Sequence, residues 1–304
     1  MGTTLMTGGT RGLGRHAAAH LLRTRPDDHL VLLVRGDGDI ARQLTRETGN
    51  PNVTTVRCDL ASLADIRRAA AEVRERLATR PPLTGFLANA GLQMTSTEAT
   101  TADGFELTFG VNVLANHLLL NLLLDLFANP ARIIVVGSGV HFGDGKNGLG
   151  VVPPPRWDGV TALAAPRPGG VRAGREAYAT SKLGVVYLVH ALKRRLPAGI
   201  DVYSYAPGFV PGTGLIRDAG VLSRAAVATV GQLLRATPIG AGPAKAGRTL
   251  ARTLTGPRPG DSGEYVDRGV AMRSSEESYD RAREEELWAV ADELCGLAAT
   301  RRTA

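Results

Sequence analysis

Tyr178 and Lys182 stand four residues apart in Tyr178-Ala-Thr-Ser-Lys182, within a stretch that reads as helix, so their side chains share one face. A free phenol titrates near ~10 and a lysine near ~10.4, and neither does acid–base work at neutral pH until something couples them. An ammonium fixed beside the phenol favours the phenolate and draws the tyrosine pKa toward the working range, as proton transfer to or from a substrate requires. Lysine occurs only as Lys146, Lys182, Lys193 and Lys245, with arginine supplying the remaining positive charge, so this spacing is not drawn from a lysine-rich surface. The competing reading is a solvated helix face, and two residues alone do not decide between the two.

A second pattern stands at the start of the chain. Gly2 to Met6 form a short apolar run that opens into Thr7-Gly-Gly-Thr-Arg-Gly-Leu-Gly14, after which Leu13, Ala17 and Leu21 recur at helical spacing. Strand, glycine turn and helix is the context in which such a turn holds a dinucleotide. Gly8 would make the tight turn, Gly12 would let the backbone approach a pyrophosphate, and Gly14 would let the helix pack on the strand. The helix N-terminus would then face the phosphates with free amides and partial positive charge. Thr10, Arg11 and Leu13 complete this group of candidate cofactor contacts.

Taken in order, TGGTRGLG, Asn89-Ala-Gly91, Asn112, Ser138, the YxxxK pair and Pro207-Gly208 resemble the short-chain dehydrogenase/reductase family over nearly the whole chain. Phe105-Glu-Leu-Thr-Phe-Gly-Val-Asn112 and Ser274-Ser-Glu-Glu-Ser-Tyr-Asp280 look most like its retinol dehydrogenase and protochlorophyllide reductase branch. The resemblance implies a single-domain, Rossmann-type doubly wound α/β fold, with about seven strands in a parallel sheet and helices on both faces. It implies that Tyr178 gives its proton to a substrate carbonyl oxygen as hydride reaches the carbon. Lys182 would lower the Tyr178 pKa and hold the nicotinamide ribose, Ser138 would orient the carbonyl, and Asn112 would support a water-linked proton relay to the lysine. It also implies cofactor contacts at Asp59, Leu60, Asn89, Ala90, Gly91, Pro207, Gly208 and Val210. On their own residues, Ser138 is equally a turn serine between Gly137 and Gly139, and Asp59 a helix-start acid upstream of Ser62.

An acid ending the second strand would accept hydrogen bonds from the adenosine ribose and favour NAD. Here the strand ends Val34-Arg35, and Arg11 precedes Gly12; two guanidiniums suit a 2′-phosphate. Asp37 and Asp39 lie close by and would weaken the inference if the turn brought either back to the ribose. The expected cofactor is NADP(H).

A chain of 304 residues with 43% hydrophobic content can bury a large core as one domain, 1–304. Cys58 and Cys295 are too few for a disulfide framework, which fits a reducing compartment. No secretory apolar segment precedes the first strand, and the richest apolar run, Leu118 to Phe127, is interrupted by Asn121 and Asp125 and falls short of the ~20 residues that span a bilayer. The expectation is a soluble, cytoplasmic protein without a membrane partner. A net charge of +7 and a pI near 9.8 invite a nucleic-acid reading, but the arginines are scattered and no nucleic-acid motif accompanies them, so no such partner is expected. His16 and His20 have the spacing of a metal pair without an identifiable third ligand, so no metal site is expected, and nothing local compels His117 to face the cofactor cleft.

Strands are expected at residues 30–34, 53–57, 83–88, 133–137, 200–205 and 264–266, and helices at 40–48, from Ser62, at 103–127 and at 175–196. The helix at 103–127 is apolar on more than one face; the resemblance implies that it meets the same helix of a second subunit, giving a homodimer or tetramer. Forty residues separate Ser138 from Tyr178, where the resemblance implies about a dozen, and a loop so long tends to be functional or disordered. The segment 139–174 holds Pro153-Pro-Pro155 and Trp157 and is expected to be a lid or wall over the substrate, Trp157 offering it an apolar contact. A second variable segment, 209–247, carries an amphipathic pattern and is expected to add to the substrate wall.

The reading is an NADPH-dependent reductase acting on a carbonyl, or a polarised C=C bond, in a fairly large apolar small molecule. Two alternatives keep the fold and cofactor: a non-redox step such as dehydration, epimerisation or cyclisation, and a non-catalytic NADP-sensing regulator. Intact Ser138, Tyr178 and Lys182 argue against the regulator, because a sensor needs no proton donor.

Overall fold

Short runs of valine, leucine and isoleucine buried on both faces can only be central strands of a covered sheet, and the chain supplies them at regular intervals. The computed structural model describes residues 1–36, 38–210 and 242–297. In it β1 (Thr3–Thr7), β2 (His29–Val34), β3 (Val53–Arg57), β4 (Leu83–Ala88), β5 (Phe127–Val136), β6 (Ile200–Ala206) and β7 (Tyr265–Asp267) form a parallel sheet, edged by an antiparallel β8 (Val270–Met272). The strand order is β3-β2-β1-β4-β5-β6-β7-β8. The doubly wound α/β reading holds, and β8 adds one short strand to it, joined to β7 through Arg268-Gly269.

Alternate residues of the strands feed two cores. One face of the sheet buries Leu5, Val31, Phe86 and Ile133 under α3 (Leu63–Leu77), a long helix α4 (107–123) and the helix α6 (Val171–Lys193). The other buries Met6, Leu32, Leu87 and Ile134 under α1 (Gly12–Thr24), α2 (Ile40–Thr48) and α7 (Pro243–Thr255). A short α5 (Val160–Ala164) and a C-terminal α8 (Arg281–Leu294) complete the first layer.

Helix α4 departs from the expected 103–127. It starts with Leu107–Phe109, capped by the buried Glu106 carboxylate, widens to a π turn over Gly110–Leu114 and continues as Ala115–Leu123. Asp103 is used elsewhere: its Oδ2 accepts the Leu63 amide at 2.8 Å at the start of α3. Phe127 already belongs to β5, which begins six residues before the expected Ile133. At α3 the cap is one-sided. Ser62 Oγ accepts the Asp65 amide at 3.3 Å, but Asp65 reaches back to the amide of Asp59.

The run Leu107–Leu126 has a mean hydropathy of 1.6 and the length to cross a bilayer, longer than the apolar run picked from sequence; 78% of its most apolar window is buried inside the fold, as in a core helix. Part of α4 packs on α8 of the same chain. His117 on α4 lies 2.8 Å from Asp292 on α8 and edge-on to Trp288, which also buries against this layer.

The segment 139–174 is ordered and divides in two. Its rear half is core: Val160, Leu163 and Ala164 are buried, Trp157 Nε1 donates to Glu286 at 3.1 Å, and the Trp157 ring stands edge-on to Tyr187 at 4.8 Å. Trp157 is thus an anchor on α6 and α8, and the expectation that it faces substrate is not met. The front half carries Val140 and Val152, which pack on Tyr178 and Ala179. Of the second segment, 211–241 lies outside the described residues, including the amphipathic pattern; 243–247 open α7, where Gly247 sits against the Leu13 carbonyl of α1.

Candidate active site

The strand order reverses between β1 and β4, which opens a crevice at their carboxyl ends. There Gly8 adopts φ +68°, and a Cβ on it would stand 2.8 Å from the Ala90 amide nitrogen, so the turn after β1 closes against the loop after β4. A Cβ at Gly14 would lie 2.1 Å from the Gly8 carbonyl oxygen, the close helix–turn approach that the third glycine permits. Gly12 takes φ +56° at the first position of α1. Arg11, the N-cap, makes no side-chain cap, and no acid occupies the first turn, so no carboxylate of α1 itself competes for its amide fan at the crevice. That arrangement fits a dinucleotide pyrophosphate.

Asn89 and Thr7 tie the two loops together. Asn89 Nδ2 donates to the Gly8 carbonyl at 2.8 Å, and Thr7 Oγ1 accepts the Ala90 amide at 3.0 Å. Thr7 was not singled out from sequence, although its place at the end of the first strand is the signal. Gly91 leads into the chemistry: a Cβ there would be 3.2 Å from Asn112 Oδ1 and 3.4 Å from Lys182 Nζ. Asn112 sits in the π turn of α4 and clasps the backbone of Leu92 by donating to its carbonyl at 2.9 Å and accepting its amide at 3.0 Å. Its Nδ2 also donates to Ser181 Oγ at 2.9 Å, and Ser181 Oγ donates to the Tyr178 carbonyl at 2.8 Å. Ser181, inside the YxxxK segment but not one of its two marked residues, thereby links Asn112 to the turn that carries Tyr178.

Tyr178 and Lys182 share a face of α6, both buried. Tyr178 hydrogen-bonds with Ser138, which follows β5 and caps the 3₁₀ turn Gly139–Phe142. Lys182 Nζ donates to the Val136 carbonyl at 2.9 Å and stands 5.6 Å from the centre of the Tyr178 ring. Burial pushes the Tyr178 phenol up to about 12, with the Ser138 hydrogen bond pulling the other way, and burial pulls Lys182 down to about 8. The expected lowering of the phenol by the ammonium does not appear in the protein alone: desolvation dominates, and the ammonium donates to the Val136 carbonyl over the ring rather than to the phenol oxygen.

At the adenosine end Arg35 is exposed just beyond β2, and Arg11 is exposed at the glycine turn. Asp39 turns to Arg42 within α2 and its cap, while Asp37 lies outside the described residues. Asp59 accepts the Ala61 amide at 3.1 Å, so one of its oxygens serves the turn before α3, with Leu60 beside it. Pro207, Gly208 (φ +73°) and Val210 follow β6 at the same edge. Thr10 and Leu13 belong to the turn and first helix as read. His117 points to α8, away from the crevice, and His20 faces Arg23, Arg248 and Arg252, an environment that repels a cation. His141, which no motif of the sequence marks, is buried three residues after Ser138 with its Nδ1 2.7 Å from the Ser138 carbonyl oxygen.

The sequence profile of the short chain dehydrogenases matches residues 2–148. The chain is 31% identical to protochlorophyllide reductase of Chlamydomonas reinhardtii over 98% of its own length and 78% of that protein. It is 31% identical to human retinol dehydrogenase 13 (98% and 85% covered) and 29% identical to human polyprenol dehydrogenase (96% and 84% covered). Among solved structures, NADPH-bound carbonyl reductase from chicken fatty liver superposes with a TM-score of 0.61 at 22% identity, covering 89% of this chain and 98% of that one. With fold, motif order and relatives in agreement, the chain belongs to the short-chain dehydrogenase/reductase family of oxidoreductases.

Proposed function

We propose that this protein is an NADPH-dependent reductase of a carbonyl, or of a polarised C=C bond, in a large apolar molecule. The observation that carries the reading is the meeting of Ser138, Tyr178 and Lys182 at the sheet edge beside the glycine turn. NADPH, when bound, supplies the hydride. Gly8, Thr10, Arg11, Gly12, Leu13 and Gly14 would hold its pyrophosphate, Arg11 and Arg35 its 2′-phosphate, Asp59 and Leu60 its adenine, and Asn89, Ala90, Gly91, Lys182, Pro207, Gly208 and Val210 the nicotinamide half.

Ser138 Oγ is placed to donate to the substrate oxygen and to hold it beside the Tyr178 hydroxyl. Tyr178, whose pKa is pushed up to about 12, keeps its proton throughout the neutral range and so stands ready as donor to that oxygen. Lys182 and Asn112 line the route by which the proton is replaced. Val140 and Val152 form an apolar wall against Tyr178, in keeping with an apolar substrate, and with relatives named for retinol, polyprenol and protochlorophyllide.

The test is purified protein with NADPH against a panel of bulky apolar aldehydes, ketones and enones, following NADPH loss and product mass. A product richer by two hydrogens supports the proposal. NADPH bound but never consumed would support the sensor, and turnover without net reduction would support a non-redox lyase or epimerase.

A further inference from the structure

Ser138 stands between Gly137 and Gly139, which by themselves leave its backbone free, yet its hydroxyl must meet Tyr178. His141, three residues on and 1% exposed, supplies a restraint: its Nδ1 lies 2.7 Å from the Ser138 carbonyl oxygen and its Nε2 3.3 Å from the Ser275 amide nitrogen. A carbonyl only accepts and an amide only donates, so these partners fix the tautomer, with hydrogen on Nδ1 and a lone pair on Nε2. Phe142 and Tyr265 hold the ring at centroid distances of 4.3 and 4.8 Å. Burial pulls the imidazole down to about 4; the titratable groups around it are Asp144, His190 and Tyr265.

Ser275 belongs to the Ser274–Tyr279 motif, which the site has left unexplained. The motif is knotted internally, with Ser274 Oγ 2.6 Å from Ser278 Oγ and Ser278 Oγ donating to the Ser275 carbonyl at 2.6 Å. It is also fastened to α6, because Tyr187 Oη donates to the Glu277 carbonyl at 2.8 Å and His190 Nδ1 donates to the Ser278 carbonyl at 3.0 Å. The chain of contacts therefore runs from the serine loop through His141 to the tail and back to the helix that carries Tyr178.

We propose that His141 and the Ser274–Tyr279 segment form a brace that positions Ser138 against Tyr178 without touching substrate. The proposal rests on the reading of Ser138 and Tyr178 given above. Among the described residues the imidazole is the side chain that joins the serine's carbonyl to the tail, so deleting its bond to Ser275 unties the serine loop from the tail while leaving both reacting hydroxyls in the molecule.

Ser275→Pro makes that deletion at the backbone. Ser275 has φ −58°, which proline adopts, and the change removes the amide hydrogen that Nε2 accepts. Ser275→Ala keeps the amide. With NADPH and an apolar carbonyl from the panel, Ser275→Pro should lower kcat/KM at least tenfold, mostly through kcat, because a small misplacement of a positioning group is costly. Ser275→Ala should stay within about twofold, the range of substitutions that break no contact. On a Ser138→Ala background, Ser275→Pro should cost nothing further. An unaltered kcat in Ser275→Pro, or an equal loss on the Ser138→Ala background, overturns the brace. His141→Asn keeps a donor toward Ser138 and removes the acceptor toward Ser275, and it carries the same expectation if the proline variant does not fold. Tyrosine-labelled NMR reads the brace without turnover: the Tyr178 resonance should move alike in Ser138→Ala and Ser275→Pro. A Tyr178 signal that moves only in Ser138→Ala refutes the brace, whereas failure of every carbonyl with an intact NMR result refutes the reductase reading alone.

Discussion

The two faces of helix α6 do different work, although their residues interleave in sequence. On the front face Tyr178 meets Ser138, Ser181 meets Asn112 and Lys182 meets the Val136 carbonyl at the end of β5, all through polar contacts. On the rear face Thr180 exchanges hydrogen bonds with the Arg156 backbone, and Gly184, whose Cβ would be 3.2 Å from Val113 and 3.6 Å from Trp157, lets α4 and Trp157 approach closely. The segment 139–174 wraps from one face to the other. Its front half is apolar wall with Leu149 and Val151 exposed at its rim, and its rear half is core. Position along an insert therefore does not predict its role; the helix face it meets does.

The sharpest way to break this contrast is on the rear. Trp157→Ala removes the contact with Tyr187 and the hydrogen bond to Glu286, and should cost on the order of 3 kcal/mol of stability while leaving KM for substrate near its parent value. Urea unfolding and steady-state kinetics check it; a raised KM with unchanged stability would return Trp157 to the substrate side.

At the front edge, Arg35→Asp should lower NADPH affinity about ten- to a hundredfold and leave NADH affinity equal or better, as expected for one charge-assisted contact to a phosphate. Titration of both cofactors by fluorescence checks it, and equal affinities in the unmutated protein would remove the basis for the NADP preference.

Lys182 gives the front face a signature in pH. Its pKa falls from 10.5 to about 8 on folding, so between those values the unfolded chain holds a proton that the folded chain has released. Stability from this group consequently rises with pH across that window, by at most about 1.4 kcal/mol per pH unit. Activity that needs the ammonium should fall over the same window. Lys182→Met should abolish this group's share of the stability slope in pH-dependent unfolding; parallel slopes in parent and variant would contradict the burial assigned to the lysine.

The smallest expected effect belongs to the apolar wall. Val152→Ala should raise KM for an apolar substrate several-fold, about 1 kcal/mol, with little change in melting temperature, since Val152 is only partly buried. A loss of stability with unchanged KM would move the front half into the core with the rear.

Much of this architecture was legible in the sequence because local signals and tertiary demands agree. Runs such as Leu83–Ala88 must be buried strands, and the glycines at Gly8 and Gly14 are dictated by close backbone approach, that at Gly12 by its positive φ. The ends of α4 were misplaced because Asp103 and Glu106 both look like helix-start acids, and only the fold assigns the first to α3 and the second to α4. The roles of Trp157 and His141 were not legible because each depends on a partner more than a hundred residues away, Glu286 for one and Ser275 for the other. The Tyr178 pKa was misjudged for a related reason. Spacing places a lysine beside a tyrosine but says nothing of how thoroughly both are dried.

The central claim is that the Tyr178 hydroxyl is the proton donor on the front face of α6, and a single-turnover experiment on cofactor-saturated protein tests it most directly. With NADPH bound in both proteins and an apolar carbonyl added, the parent should consume NADPH and yield alcohol. Tyr178→Phe should bind NADPH as the parent does and turn over 10²–10⁴-fold more slowly, roughly the range of a lost general acid. A phenylalanine variant that reduces the carbonyl at the parental rate would contradict the account.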